Sequence, residues 1–363
     1  MAPAARRRTR AVLAGPLGIG GEYPVSVQTM TKTDTRDLEG TVAQLLCLQA
    51  RGADLVRLAV PDEQAARMLS AIRRRVNIPL AADIHFDYRL ALQALDAGVD
   101  KLRLNPGNIG SADRVREVAR AAGARGVPIR VGVNAGSLEK RLRAGGVRAA
   151  ALVESALAQA RLLEAAGFTA IVVAVKAADV PLLLEAYRQV AAATDYPLHL
   201  GVTEAGTVTT GSVRSAVGIG ALLAEGIGDT IRVSLSAPPE EEVRVGKTIL
   251  STLGLGPPRP LVVACPTCGR SEFDLQPVVQ AVEERLEGVN ASLRVAVMGC
   301  VVNGPGEARE ADIGLAGGGG VALVFRGGKV VRRLRPEELL EGFLAELDDL
   351  LAYPGSPASR RST

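Results

Sequence analysis

The feature that most constrains the fold is an eightfold alternation of short β-branched runs with longer amphipathic segments between residues 24 and 255. The β-branched runs, which predict strands, cover residues 25–30, 55–60, 80–85, 101–105, 129–134, 170–176, 198–204 and 230–236. The segments between them repeat apolar residues at helical spacing, and several close on a glycine, as at Gly52, Gly98, Gly126 and Gly167. Eight strand–helix units in this length predict a TIM (β/α)8 barrel, because a doubly wound sheet rarely needs eight.

Polar residues at the predicted strand ends are the first candidates for a site, because the loops after the strands build the active site of a TIM barrel. These residues are Arg57, Asp83, His85, Arg103, Asn105, Arg130, Asn134, Lys176, Glu204, Arg232 and Ser234. Five of them are cations, and only Asp83 and Glu204 carry the opposite charge. Each alone could be an ordinary solvated or ion-paired residue, but together they predict an anion site. The planar fork of arginine suits phosphate oxygens, and several such contacts favour a diphosphate over a carboxylate.

A second pattern lies beyond the predicted barrel, where three of the four cysteines are spaced Cys265-x2-Cys268-x31-Cys300. Thiolates on loops can hold a metal ion or a metal cluster. A structural zinc normally takes four protein ligands, and both histidines of the chain lie far upstream. The spacing therefore favours a [4Fe-4S] cluster on three cysteines, with Glu307 as the candidate ligand of the fourth iron. A zinc site and a disulfide are the alternatives, the disulfide disfavoured because nothing indicates an oxidising compartment.

These cysteine motifs also carry a family resemblance. Cys-Pro-Thr-Cys-Gly-Arg at 265–270 and Val-Met-Gly-Cys-Val-Val-Asn-Gly-Pro-Gly-Glu-Ala at 297–308 resemble the signature of bacterial 4-hydroxy-3-methylbut-2-enyl diphosphate synthases, the iron–sulfur enzymes of the non-mevalonate isoprenoid pathway. Barrel motifs that begin at Asp83, Arg103, Arg130, His199 and Gly226 are similar to those of the family as well. The resemblance implies that the three cysteines and the glutamate of these motifs ligate one [4Fe-4S] cluster.

For the barrel, the resemblance implies that the arginines and the lysine at the strand ends bind a cyclic diphosphate. The predicted reaction is the two-electron reductive ring opening of 2-C-methyl-D-erythritol 2,4-cyclodiphosphate to (E)-4-hydroxy-3-methylbut-2-enyl diphosphate. Glu204 and Glu307 are the predicted catalytic residues: Glu204 supplies or relays a proton, and Glu307 is a labile cluster ligand that the substrate displaces. The chain has no dinucleotide-binding fingerprint, so the electrons should come from a ferredoxin or a flavodoxin.

Other functional classes fit parts of the pattern. A cluster-based redox sensor would use the cysteines but has no need of a cationic rim. A hydrolytic or pterin-binding barrel with a structural zinc domain would use the barrel and leave the protein colourless. A radical enzyme that uses S-adenosylmethionine is disfavoured, because the usual Cys-x3-Cys-x2-Cys spacing is missing.

Composition and local sequence divide the 363 residues into four parts. We expect a frayed basic N-terminal extension over residues 1–20, the substrate-binding barrel over 21–255, the cluster domain over 261–352 and a disordered tail over 353–363. The chain lacks an apolar run of eighteen residues, so we expect a cytoplasmic protein with no membrane segment. Its net charge of +4, from 43 basic and 39 acidic residues, gives no reason to expect nucleic-acid binding.

The predicted order of the two domains also predicts an oligomer. The eighth barrel helix returns the chain to the face opposite the site, and the proline-rich connection over 254–260 can span at most about 25 Å. That reach is shorter than the path around the barrel, so the cluster of one chain should serve the barrel of another. We therefore expect a head-to-tail homodimer with two composite sites, which the resemblance also implies.

Overall fold

The chain divides into two compact units, Met1–Gly256 and Pro257–Thr363. The computed structural model describes residues 4–143 and 146–352, so the predicted disordered tail lies outside the described residues. Within the described part, no helix has the length and apolar character that crossing a bilayer requires.

The first unit begins with an antiparallel hairpin of two strands, β1 (Ala11–Ala14) and β2 (Leu17–Gly20). The hairpin buries Val12, Ala14 and Ile19 against Leu55, Ala81 and Val172 of the barrel. Upstream of it, the guanidinium of Arg6 pairs with Asp229 at 2.9 Å. The expectation of a frayed terminus was therefore wrong for the described part of residues 1–20, because alternate apolar residues of the hairpin cover the barrel floor.

Eight parallel strands form the barrel. They are β3 (Ser26–Met30), β4 (Leu55–Ala59), β5 (Leu80–Asp83), β6 (Lys101–Arg103), β7 (Ile129–Asn134), β8 (Ile171–Lys176), β9 (His199–Leu200) and β10 (Thr230–Ile231). Their order in the sheet is β8-β7-β6-β5-β4-β3-β10-β9. A bridge between Val173 and Leu198 joins β8 to β9 and closes the ring, which confirms the predicted TIM barrel.

Eight helices surround these strands, one after each strand. They are α1 (Leu38–Ala50), α2 (Glu63–Arg73), α3 (Tyr88–Asp96), α4 (Ala112–Ala124), α5 (Ala149–Glu164), α6 (Val180–Ala193), α7 (Val208–Ala224) and α8 (Pro239–Thr252). Short 3-10 turns at Ala135–Ser137 and Lys140–Arg143 follow β7. Aspartates cap four of the helices by accepting a hydrogen bond from a backbone N–H of the first turn, namely Asp37, Asp62, Asp87 and Asp179. The four predicted glycine stops all have positive φ, between 66° and 84°, as a left-handed helix end requires.

The last two barrel strands are much shorter than the sequence predicts. Residues 198–204 and 230–236 form ladders only at His199–Leu200 and Thr230–Ile231. Beyond these ladders the backbone N–H groups bond across loops, for example from Thr203 to the carbonyl of Ala177. The sequence pattern of apolar residues extends over the whole of both predicted strands because these segments stay buried. Beyond the short ladders, however, their backbone does not pair as sheet.

The second unit is a smaller α/β domain around a five-stranded sheet of order β11-β12-β13-β14-β15. Its elements are β11 (Leu261–Ala264), α9 (Gln276–Arg285), β12 (Arg294–Met298), α10 (Gly304–Glu310), β13 (Ile313–Gly318), β14 (Val321–Arg326), β15 (Lys329–Leu334), a 3-10 turn (Pro336–Glu338) and α11 (Leu339–Ala352). The first three strands are parallel and the last two antiparallel. The two cysteine motifs follow β11 and β12, so both leave the same edge of the sheet from neighbouring strands.

We predict that the N-terminal hairpin stabilises the barrel. Ile19 is fully buried, so Ile19→Ala should lower the free energy of unfolding by about 2–5 kcal/mol, since it removes buried methyl groups and leaves a cavity. Leu13 in the same hairpin is 52% exposed, and Leu13→Ala should change that free energy by less than about 0.5 kcal/mol. Urea unfolding of both variants would measure the difference; equal effects would show that the hairpin does not belong to the barrel core.

Candidate active site

A cavity of about 280 Å³ opens at the mouth of the barrel, where the strands end. Its lining residues are Arg57, Asp83, His85, Arg103, Arg130, Gly132, Asn134, Ala174, Lys176, Thr203, Arg232 and Ser234. Nine of the ten predicted substrate-binding residues are among these twelve, and Gly132, Ala174 and Thr203 are additions. The strand-end rule therefore brought almost all of the predicted residues to one cavity.

Alternation along the strands explains how two of these elements build the cavity wall. On β7 and β8, Gly132 lies opposite Ala174 and Asn134 lies opposite Lys176, and all four face the interior. A methyl group on Gly132 would come within 2.6 Å of the Ala174 carbonyl oxygen, and one on Gly201 would come within 2.8 Å of Lys176 Nζ. Small residues at these positions keep the cavity open and leave room for the lysine.

Asp83 organises the cations on one side of the cavity. Its carboxylate lies 3.1 Å from Arg103, 3.6 Å from Arg57 and 3.5 Å from His85. Burial alone would raise the pKa of Asp83, but the charge of Arg57 and the contacts with His85 and Arg103 outweigh it and hold the pKa well below the ordinary value. Asp83 is therefore ionised at neutral pH and fixes two guanidinium groups at the mouth.

A second buried carboxylate, Glu242 on α8, was missed by the sequence reasoning. It is 1% exposed, accepts a hydrogen bond from Thr29 at 2.9 Å, and lies 3.5 Å from Arg232 and 3.6 Å from Lys32. A run of three glutamates at the start of α8 resembles an ordinary solvated first turn of a helix. No rule based on strand ends could have selected it, because it reaches the barrel wall from a helix.

The barrel interior carries more positive charge than these two carboxylates offset. Arg130, Lys176 and Lys101 are 4%, 5% and 1% exposed, and among the residues that the structure describes none of them has a carboxylate partner. Burial, reinforced by neighbouring guanidinium groups, lowers the pKa of Lys176 and of Arg130 well below their ordinary values. Burial also lowers the pKa of Arg57, to about 10. This excess of positive charge lowers the stability of the fold in a low-dielectric interior, and the negative charge of a ligand in the cavity would offset it.

Two predicted site residues lie outside the cavity lining. Asn105 turns back on its own loop, where its side-chain oxygen accepts a hydrogen bond from the Gly107 N–H at 2.9 Å. Glu204 is exposed, and its φ of +54° is a left-handed conformation that costs a non-glycine residue about 1–3 kcal/mol. Its neighbour Thr203 lines the cavity. The strained backbone therefore holds Glu204 one residue away from the cavity wall.

The three predicted metal-binding cysteines, all free thiols, lie in the second unit. Cys265 directly follows β11, and Cys300 follows the neighbouring strand β12 and is buried. Hydrogen bonds from the backbone N–H groups of Asn303 and Val302 lower the pKa of the Cys300 thiol, which favours the thiolate that a metal needs. Between Cys265 and Cys268, Thr267 has a φ of +50°, the other positive φ of a non-glycine residue in the described chain.

The predicted fourth ligand, Glu307, lies in the first turn of α10 and forms an ion pair with Arg294 at 2.8 Å. Across residues 4–143 and 146–352, no three or more His, Cys, Asp or Glu side chains are gathered closely enough to hold a metal ion. Three free thiols, one of them with a lowered pKa, fit the chemistry of an iron–sulfur cluster, in which each ligand binds a different iron. The assignment of these four residues as ligands stays a prediction.

Comparison with known proteins agrees with this division of the chain. A family model described as the GcpE TIM-barrel domain matches residues 9–247, and one described as the GcpE protein C-terminal domain matches residues 261–349. Proteins named 4-hydroxy-3-methylbut-2-en-1-yl diphosphate synthase (flavodoxin) are similar over most of their length. The one from Geobacillus kaustophilus is 54% identical over 95% of this chain and 93% of its own.

A second relative and one solved structure were also found. The protein of the same name from Geobacter sulfurreducens is 53% identical over 96% of this chain and 99% of its own. Among solved structures, a dihydropteroate synthase from Coxiella burnetii superposes on 68% of this chain and 98% of its own, with a TM-score of 0.48 and 14% identity.

We predict that Asp83 holds the cationic mouth together. Asp83→Asn leaves the largely buried Arg57 and Arg103 side chains without their counter-charge, so the free energy of unfolding should fall by about 3–5 kcal/mol at pH 7. Because the pKa of Asp83 is depressed in the folded protein, its contribution is present above the ordinary carboxyl pKa, near 4, and is lost as the pH falls below it. The difference between wild type and variant should therefore narrow in acid.

Urea unfolding at pH 7 and at pH 3 would measure this difference. The control is Asp87→Asn. Asp87 is the half-exposed N-cap of α3, and asparagine caps a helix equally well, so this variant should change the free energy of unfolding by less than about 0.5 kcal/mol. A variant of Asp83 as stable as wild type at pH 7 would contradict the organising role of this carboxylate.

Proposed function

Because the chain belongs to the 4-hydroxy-3-methylbut-2-enyl diphosphate synthase family, we propose that it catalyses the reductive ring opening of 2-C-methyl-D-erythritol 2,4-cyclodiphosphate to (E)-4-hydroxy-3-methylbut-2-enyl diphosphate. The observation that carries the proposal is the buried excess of cations around the barrel cavity. A cyclic diphosphate supplies the negative charge that this cavity lacks.

We assign diphosphate binding to four cations of the cavity lining, Arg57, Arg103, Arg130 and Lys176. Arg57 and Arg103 are fixed by Asp83, so they meet the ligand without losing further side-chain freedom. Arg130 and Lys176 are buried and unpaired, so their attraction to phosphate oxygens is little weakened by water. The rest of the lining is assigned to the polyol and the outer phosphate oxygens, namely His85, Asn134, Arg232 and Ser234. Asn105 would join them only through a rearrangement of its loop.

The reaction takes up two electrons and a proton. The bond between carbon and a diphosphate oxygen breaks and opens the ring, a hydroxyl group leaves as water, and a carbon–carbon double bond forms. The cavity cations stabilise the charge that develops on the departing diphosphate oxygen, a fixed electrostatic effect that needs no reorganisation during the reaction. Glu204 is assigned the proton that the departing hydroxyl requires, since it follows the cavity residue Thr203.

We assign a [4Fe-4S] cluster to Cys265, Cys268, Cys300 and Glu307. When bound, the cluster would supply the electrons one at a time. The thiolate bias of Cys300 suits it to this donor set. Arg294 gives the Glu307 carboxylate a partner whenever it is not a ligand, so this glutamate can leave the cluster without being left unpaired.

The electrons are assigned to a flavodoxin, which the names of the relatives specify, with a ferredoxin as the other carrier of the same kind. We also propose a head-to-tail homodimer, because the short connection after α8 limits how far the cysteine motifs reach from their own barrel. We assign the protein to the cytoplasm, because free thiols are typical of a reducing compartment. A redox sensor would leave the cationic cavity without a role, and the relatives support neither the sensor nor the zinc hydrolase or pterin barrel.

We predict that protein purified without oxygen contains about four irons and four sulfides per chain and, with reduced flavodoxin, converts the cyclodiphosphate to the linear diphosphate. Iron and sulfide analysis and product chromatography would measure both. Cys300→Ser should lose iron and turnover, whereas Cys47→Ser, a change at the exposed cysteine of the barrel unit, should lose neither. A colourless protein with one zinc per chain would support the hydrolytic alternative and contradict this proposal.

We predict that Glu204→Gln lowers turnover by about 10²- to 10⁴-fold, because glutamine cannot transfer a proton. Iron content and affinity for the cyclodiphosphate should stay at the wild-type level, since Glu204 is not a predicted cluster ligand and does not line the cavity. Single-turnover kinetics and binding calorimetry would separate these effects. Glu225→Gln, at an exposed glutamate that directly follows α7 and pairs with Arg188, is the matched control. Turnover equal to that of this control would remove Glu204 from the mechanism.

A further inference from the structure

Lys101 has no place in the proposed mechanism, yet it is the most deeply buried cation of the barrel. It lies on β6, two residues before Arg103, so its side chain points into the same interior from one step below the cavity. It is 1% exposed and does not line the cavity. Its amine has no hydrogen-bond partner among the described residues. A buried lysine without a partner is costly if it is charged.

The groups around Lys101 make the charged form less favourable still. Arg130 on β7 and Arg57 on β4 act on it with like charge, and it acts in turn on the buried His199 of β9. On the neighbouring strand β5, the carboxylate of Asp83 is already engaged by Arg57 and Arg103. Burial, followed by the charges of Arg130 and Arg57, lowers the pKa of the Lys101 amine well below its ordinary value.

Other polar groups of the barrel interior lack partners as well. Both ring nitrogens of His199, both amide atoms of Gln28 and the hydroxyl of Ser26 are buried without a hydrogen bond in the described structure. Gln28 and Ser26 belong to β3, and their side chains alternate into the barrel together with His199 of β9. Such a polar layer is a place for ordered water, which would give a proton a path to the amine.

We infer that Lys101 is an uncharged amine in the free protein and gains a proton when a diphosphate occupies the cavity above it. The two guanidinium groups that repel a charged Lys101, those of Arg57 and Arg130, both line the cavity. An anion bound to them offsets their charge, so the charged amine becomes the favoured form. By thermodynamic linkage, a ligand that promotes protonation binds more weakly as the pH rises.

This inference rests on the proposed diphosphate site and adds a residue that the ligand need not touch. Lys101 acts as a positioning residue. When the ligand binds, the amine gains a proton and so raises the positive potential of the cavity. Lys176 lines the cavity and is assigned a direct contact with the diphosphate, so its own protonation would add to the same uptake. The contribution of Lys101 is therefore measured as a difference between wild type and a variant.

The experiment is titration calorimetry of the full-length protein with 2-C-methyl-D-erythritol 2,4-cyclodiphosphate, without reductant so that no turnover occurs. Each phosphorus of this ligand carries a single strongly acidic hydroxyl, so the ligand exchanges no protons near neutral pH. Titrations at pH 8 in buffers with different heats of ionisation give the number of protons taken up. Wild type should take up protons, and Lys101→Met should take up fewer by about one. Lys329→Met, at an exposed lysine of β15, is the control and should match wild type.

Lys101→Gln is the second variant should the methionine fail to fold, and it too should lose about one proton of uptake. In wild type the affinity should fall as the pH rises above 8, and in both variants this fall should be smaller. Binding with no proton uptake in wild type, or equal uptake in wild type and the folded variants, would overturn the inference. Absence of binding in wild type would instead contradict the proposed diphosphate site itself.

Discussion

The imbalance of charge inside the barrel is the constraint on which the rest of the first unit depends. Among the residues that the structure describes, six basic side chains face the barrel interior, and two buried carboxylates, Asp83 and Glu242, oppose them. The carboxylates fix Arg57, Arg103 and Arg232 in place and leave the others unneutralised. Burying such groups costs stability, and the proposed diphosphate ligand would offset their charge. The apolar hairpin on the barrel floor and the helices outside supply the packing that makes this cost tolerable.

Backbone strain and close packing occur at the two places to which the proposed mechanism assigns reactive groups, namely the loop beside the cavity and the cysteine loops. Within the described residues, Glu204 and Thr267 are the two non-glycine residues with positive φ, one beside the cavity and one between two cysteines. In the second unit, glycines let the cysteine loops approach the sheet: a methyl group on Gly318 would lie 2.0 Å from Val301, next to Cys300. Strain that is retained at such positions is held by the surrounding structure, which is the usual condition for a preorganised site.

The sequence predicted the barrel and most of its cavity because both follow from regular alternation. A residue at the end of a parallel strand lies at the mouth whatever its neighbours are, and Arg57, Lys176 and seven other residues selected by this rule line one cavity. The rule failed where the backbone is irregular, as at Asn105 and Glu204, whose positions depend on loop conformation. It could not find Glu242, which comes from a helix. The hairpin was missed because a four-residue strand beside a basic terminus carries too weak a pattern.

In the proposed homodimer the cationic barrel of one subunit works with the cysteine motifs of its partner, and mixing two inactive variants tests this arrangement most directly. Lys176→Met should disable the barrel site, and Cys300→Ser should disable the cluster site. Subunits exchanged at equal amounts place one intact pair of sites in each mixed dimer, so activity should return to about a quarter of the wild-type value, because half of the dimers are mixed and each has one working site of two. Failure of the mixture to recover activity, with subunit exchange confirmed by mass spectrometry, would contradict the composite site.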